Sequence, residues 1–99
     1  MRVISRKQLL WFCQQYPQAY EPVMKWYKLA RATHAQNHDE LNTTMANTVD
    51  VVGKLTIFDV GGNKYRVVTK IEYRFQQMYI VAVQTHKQYD QTDWRKLCR

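Results

Sequence analysis

The chain has 99 residues, 45 % of them hydrophobic and including three Trp, three Phe and seven Tyr, which is enough for one small domain around a single core. No apolar run approaches the roughly 18 residues of a membrane span, and in MRVISRKQLL charge returns before an apolar signal region is complete, so the expected location is the cytoplasm. Fifteen Lys and Arg against eight Asp and Glu give a formal charge of +7, a field that gathers polyanions and points first to nucleic acid, then to an acidic protein.

The opening residues MRVI are short and apolar and suit an edge strand, after which Ser5 is placed to cap a helix. In SRKQLLWFCQQYP the apolar Leu9, Phe12, Cys13 and Tyr16 fall three and four apart, and Pro17 ends the run. A second helix is predicted over QAYEPVMKWYKLARATH, with Ala19, Val23, Trp26, Tyr27 and Ala30 as one stripe and Glu21-Pro22 in its first turn. Both stripes read as core rather than as a cofactor box. Residues 34–50, HAQNHDELNTTMANTVD, are polar and weakly periodic and read as a loop in which DELNTTM forms a helical turn or two.

From there the period switches to two. KLTIFDV is a strand, GGN a turn tolerant of positive φ, and KYRVVTKIEYRF a longer strand; the chain turns at FQQ or QQ, and MYIVAVQT returns antiparallel. The tail HKQYDQTDWRKLCR begins polar and ends basic. Cys13 and Cys98 lie near opposite ends with no metal-ligand spacing, and His34, His38 and Asp39 are too few ligands in too polar a segment for a metal, so no metal or other cofactor is expected. The order predicts an α+β fold, one domain over 1–99, with an N-terminal strand and two helices packed on one face of an antiparallel β-meander.

Alternation sends Tyr65, Val67, Thr69, Ile71 and Tyr73 towards the helices and Lys64, Arg66, Val68, Lys70, Glu72 and Arg74 to the open face. With the turn at Gln76-Gln77, Lys70 lies across from Val83, and Tyr79, Val81 and Thr85 share the open face. Four cations and one anion there fit either a solvated surface or a floor for phosphates. The element THKQYD begins where the last strand ends. Histidine is the side chain whose unperturbed pKa lies near neutrality, so His86 can act as general acid or base, Tyr89 can donate a proton among cations that lower its pKa, and Asp90 can orient a ring. The plainer alternative makes Tyr89 an aromatic plug and Asp90 a cap.

The segments FDVGGNKYRVV, YI and THKQYD together resemble the HigB group of RelE-like toxins from bacterial type II toxin–antitoxin systems; MRVISRKQL, KWYKLA and Asp39-Glu40-Leu41 are compatible with it, so the resemblance runs along nearly the whole chain. It implies an mRNA interferase that needs no metal: a ribonuclease acting on messenger RNA, usually within the ribosome, by attack of the substrate's own 2′-hydroxyl on the adjacent phosphate. Residue by residue, it implies Arg66 as the phosphate stabiliser, helped by Lys70, and His86 and Tyr89 as acid–base or base-stacking groups, with Lys64, Arg74 and Asp90 holding RNA. A helix-turn-helix antitoxin, HigA-like, is the implied partner. Two positions depart from the pattern: Val81, where relatives often carry Arg, and Asp59, where they often carry Asn. The loss of a cation at Val81 implies lower activity or a shift of load to Lys70 or Arg74. A non-catalytic basic module that binds RNA or ribosomes is the alternative.

Overall fold

The computed structural model describes residues 1–45, 48–62 and 64–91. Its strands are β1 (Arg2–Ile4), β2 (Val49–Val52), β3 (Leu55–Val60), β4 (Tyr65–Glu72) and β5 (Gln77–Thr85), and its helices are α1 (Arg6–Gln15), α2 (Tyr20–Ala32), α3 (His38–Thr44) and α4 (His86–Asp90). The strands form one sheet in the order β1-β5-β4-β3-β2. The fold is α+β as expected, and β3, β4 and β5 form the antiparallel meander. β1 is indeed an edge strand, but it pairs parallel with β5, Arg2 opposite Gln77, which makes the sheet mixed.

The helices form where the apolar spacing is helical. α1 buries Leu9, Phe12 and Cys13, while Pro17 opens a 3₁₀ turn over Pro17–Ala19 that leads directly into α2. α2 buries Val23, Trp26 and Ala30. Ser5 does occupy the N-cap position of α1, but with φ 77° its side chain makes no capping hydrogen bond, contrary to expectation. The two apolar stripes meet Phe58, Val60, Tyr65, Val67, Met78 and Ile80 on one sheet face. There Trp26 and Phe58 meet edge to face with centroids 5.1 Å apart. Each fully buried side chain of this size contributes on the order of 1.5–3 kcal/mol by leaving water. Burial also pushes the Cys13 thiol pKa up, which makes it inert packing.

Residues 34–50 are more ordered than their polarity suggests. Asn37 caps α3, its Oδ1 accepting from the Glu40 backbone N–H at 3.0 Å. β2, whose first two residues fall in the segment expected to be a loop, extends the sheet by pairing with β3, Asp50 opposite Ile57. The β3–β4 turn holds Gly61 and Gly62 at φ +67° and +60°, and a Cβ on Gly61 would sit 3.1 Å from the Tyr65 ring. Asn63 of that turn lies outside the described residues, as do Cys98 and the rest of the chain after Gln91.

The face away from α1 and α2 is not a bare ionic floor. Leu55, Ile57 and Val68 form a second, smaller core there, with Val52, Ala82 and Tyr89 packed on it. Strand register differs from expectation as well. A bulge between Val68 and Thr69 pairs Val68 with Ala82 but Thr69 with Ile80, leaving Val81 as the extra residue. β4 also ends at Glu72, ahead of a 3₁₀ turn over Tyr73–Phe75, so Lys70 faces Tyr79 rather than Val83; Val83 pairs with Val67 and Thr85 with Tyr65, both on the helix-covered side. No helix among the described residues is long and apolar enough to cross a membrane.

Candidate active site

Arg66 is central to the site. Cross-strand pairing sets Asp59 on one side of it and Gln84 on the other. Its Nε donates to Asp59 Oδ1 at 2.9 Å, and Nη1 donates to the Tyr65 carbonyl at 3.2 Å. From above, the Tyr89 ring of α4 lies 5.7 Å from the guanidinium carbon. The residue is only 8 % exposed, yet it is covered by α4 and not by α1 and α2. A guanidinium can be buried this far only with partners for its donors, and the fork meets a carboxylate and a carbonyl. The cost is that Asp59 offsets part of the charge.

α4 is positioned by two devices. Thr85 and Gln88 form a reciprocal capping box: Thr85 Oγ1 accepts from the Gln88 N–H at 3.2 Å and Gln88 Oε1 accepts from the Thr85 N–H at 3.0 Å. The His86 N–H also donates to the Lys64 carbonyl at 3.0 Å, which ties the helix to the β3–β4 turn. On the exposed side of α4, His86 Nδ1 lies 2.8 Å from Asp90 Oδ2. If Nδ1–H donates a hydrogen bond to that carboxylate, a neutral ring carries its lone pair on Nε2.

Tyr89 behaves differently from the sequence expectation that cations would lower its pKa. Burial raises it, Asp50 of β2 raises it further, and Asp59 and Asp90 add to the rise; only Arg66 opposes them. Tyr89 thus keeps its proton at neutral pH and acts as a hydroxyl donor, not a phenolate.

Lys64, Arg66, His86, Tyr89 and Asp90 therefore stand together at one corner of the sheet. Two expected members do not join them. Lys70 is exposed and opposite Tyr79, four residues further along β4, or about 13 Å at strand spacing. Arg74 leaves the strand in a 3₁₀ turn over Tyr73–Phe75 and lies 5.6 Å from the Phe75 ring. Val81 is at the bulge, on the α1 side of a groove with Trp11 and Gln84. Asp90, one turn after His86 on α4, places its Oδ2 2.8 Å from His86 Nδ1. The carboxylates of Asp50 and Asp59 were missed as site residues. Both had a signal: Asp59 mirrors Arg66 across the GGN hairpin, and Asp50 sits inside the alternating VDVV. Among the described residues no three His, Cys, Asp or Glu side chains gather as metal ligands.

One corner of this small α+β protein thus carries a forked cation fixed beneath an aromatic ring and, on the same short helix as that ring, an imidazole held to a carboxylate. Residues 19–92 match the model of the HigB toxin family, the RelE-like toxic component of a toxin–antitoxin system, and the chain belongs to that family. It is 28 % identical over 92 residues to the mRNA interferase toxin HigB of Escherichia coli strain K12, covering 91 % of this chain and 88 % of that one. The mRNA interferase HigB of Shigella flexneri gives the same figures, and that of Escherichia coli O6:H1 is 24 % identical over 92 residues, 91 % of this chain and 89 % of the relative. As the toxic component of such a system, the chain has an antitoxin as its partner.

Proposed function

We propose that this chain, as one domain, is an endoribonuclease that cleaves messenger RNA in the cytoplasm, on the ribosome, by attack of the 2′-hydroxyl on the adjacent phosphate. The observation that carries this reading is the clamped Arg66 under Tyr89, with His86 held by Asp90 on the same short helix. His86 Nε2 takes the 2′-hydroxyl proton as the new P–O bond forms. Negative charge builds on the non-bridging oxygens of the phosphorane, where the fixed Arg66 fork and the Lys64 ammonium offset it; preorganised electrostatics of this kind is usually the largest catalytic contribution. Tyr89, still protonated at neutral pH, donates towards the departing 5′-oxygen. The products are a 2′,3′-cyclic phosphate and a 5′-hydroxyl, and the proton held by His86 returns to Tyr89 through solvent. Lys70 and Arg74 lie too far along the sheet for the scissile phosphate and would meet RNA only on its flanks.

The antitoxin partner is proposed to be a HigA-like helix-turn-helix protein. A second reading, a basic RNA- or ribosome-binding module without chemistry, is favoured by one feature alone: Asp59 already pairs with the cation that the reaction needs. The test is to add purified protein to translating ribosomes with a chelator present and map RNA ends. New 5′-hydroxyl ends bearing cyclic phosphate upstream, lost in Arg66→Ala and His86→Ala, support cleavage. Salt-sensitive association with intact ends leaves the binding module.

A further inference from the structure

A second basic region lies at the other end of the sheet. β1 pairs with Gln77–Tyr79 of β5, whereas α4 starts after Thr85, six residues or about 20 Å further along that strand. Beside β1 a groove of about 670 Å³ is lined by Arg2, Arg6, Tyr27, Arg31, His34 and Gln76 among others, and no Asp or Glu is in its lining. Two guanidiniums share one ring: the Arg6 and Arg31 carbons lie 5.4 and 5.5 Å from the Tyr27 centroid. Among the described residues no carboxylate forms an ion pair with Arg2, Arg6 or Arg31. Gln76 is already used, its Nε2 donating to the Ala35 and Tyr73 carbonyls at 2.9 and 3.0 Å. Like charges held together without a counter-ion repel, so the groove gains free energy when a polyanion enters.

We propose that this groove is a second RNA-binding site, gripping the phosphodiester backbone of a segment remote from the cleaved linkage. The choice of RNA rests on the function proposed above. Backbone rather than base is the target because Tyr27, the groove's aromatic side chain, already has guanidiniums over its ring. An acidic protein fits less well, since a protein interface centres on a desolvated apolar anchor, whereas three guanidiniums line this groove and two of them occupy its tyrosine ring. Forked guanidiniums match phosphate oxygens two at a time.

The deciding experiment uses the full chain and a long 2′-O-methyl RNA, which binds but cannot be cut, titrated at several salt concentrations. Arg6→Gln/Arg31→Gln is expected to weaken binding about tenfold and to lower the slope of log K against log salt by about 1.4, two single-strand phosphate contacts. Arg6→Lys/Arg31→Lys keeps the charge and should keep most of the slope. If the double Gln variant does not fold, Arg31→Gln alone carries the same expectation at half the change in slope. Unchanged RNA affinity and slope overturn the proposal, and so does unchanged RNA binding with lost binding of polyglutamate, which would make the groove a protein site. Failure of the cleavage reading registers elsewhere, as intact ends when the parent protein meets unmodified messenger RNA.

Discussion

Arg66 and Arg31 each lie beside a tyrosine ring, 5.7 and 5.5 Å from its centroid, yet their surroundings are opposite. Arg66 is buried, bonded to Asp59 at 2.9 Å and within the field of Asp50 and Asp90 that holds Tyr89 protonated. Arg31 shares its ring with a second guanidinium and has no carboxylate among the described residues. The corner gives up net charge to fix a cation in place; the groove keeps its charge, with no carboxylate among the described residues paired to its guanidiniums. Chemistry on a phosphate requires the first arrangement, because a donor must already point where charge develops. Gathering a polyanion from solution requires the second, because long-range attraction depends on uncompensated charge. The +7 excess therefore need not lie where catalysis is proposed.

The comparison breaks most readily at His86. His86→Ala removes the proposed base and is expected to lower the single-turnover cleavage rate by about 10²–10⁴-fold, with salt-dependent binding of uncleavable RNA almost unchanged. If the affinity falls and the rate at saturation does not, the corner is a binding surface. Arg66→Ala should cost about 10²–10³-fold in the same rate, and Arg66→Lys should recover little of it, since Lys keeps a charge without the fork that Asp59 and the Tyr65 carbonyl hold. Full recovery by Lys would mean that charge alone matters at this corner, which would erase its distinction from the groove.

Much of this contrast was legible in the sequence, and its omissions have physical causes. Period-two alternation correctly separated Tyr65 and Val67 from Arg66 and Val68, because that part of β4 pairs regularly with both neighbours. The alternation also holds for Ile71 and Tyr73, which pack on the main core; it fails on β5 past Ile80, where one bulged residue, Val81, shifts the phase of Val83 and Thr85, and no periodicity count registers an inserted residue whose flanking pattern stays apolar. THKQYD was recognised as chemistry-bearing, yet its Thr85–Gln88 capping box, which makes it a helix, was not. Asp59 entered only as a departure from relatives; its bond to Arg66 depends on the hairpin register, which three-dimensional pairing sets. The Arg2, Arg6 and Arg31 groove lay beyond sequence reasoning altogether, because a parallel contact between the first and last strands assembles it.

A smaller effect sharpens the comparison from the neutralised side. Asp59→Asn leaves an oxygen that can accept from Arg66 Nε while removing the negative charge, so the corner becomes more like the groove. Because the Asp59 side chain is 41 % exposed, the change is worth about 1 kcal/mol at most, or about fivefold in RNA affinity, with a slightly steeper salt dependence. Weaker binding instead would show that the carboxylate's hold on Arg66 outweighs its charge.

The smallest effect is on stability, and it reads the raised pKa of Tyr89. Its pKa in the folded chain is raised, first by burial and then by Asp50, with Asp59 and Asp90 adding to it. In the unfolded chain the phenol titrates near its ordinary value of about 10. The native state therefore holds the proton after the unfolded state has lost it, and stability must fall as pH rises. The contribution is full below about pH 10 and is lost as the pH climbs from there through the higher folded value. Urea midpoints measured on either side of pH 10 should decline more steeply for the parent than for Tyr89→Phe, which has no proton to lose. Half-buried Tyr73, its pKa raised by desolvation, contributes a slope common to both proteins and cancels in the difference. Equal slopes would mean that neither burial nor Asp50, Asp59 and Asp90 raises the Tyr89 pKa, and the corner would then lose the feature that keeps its phenol protonated.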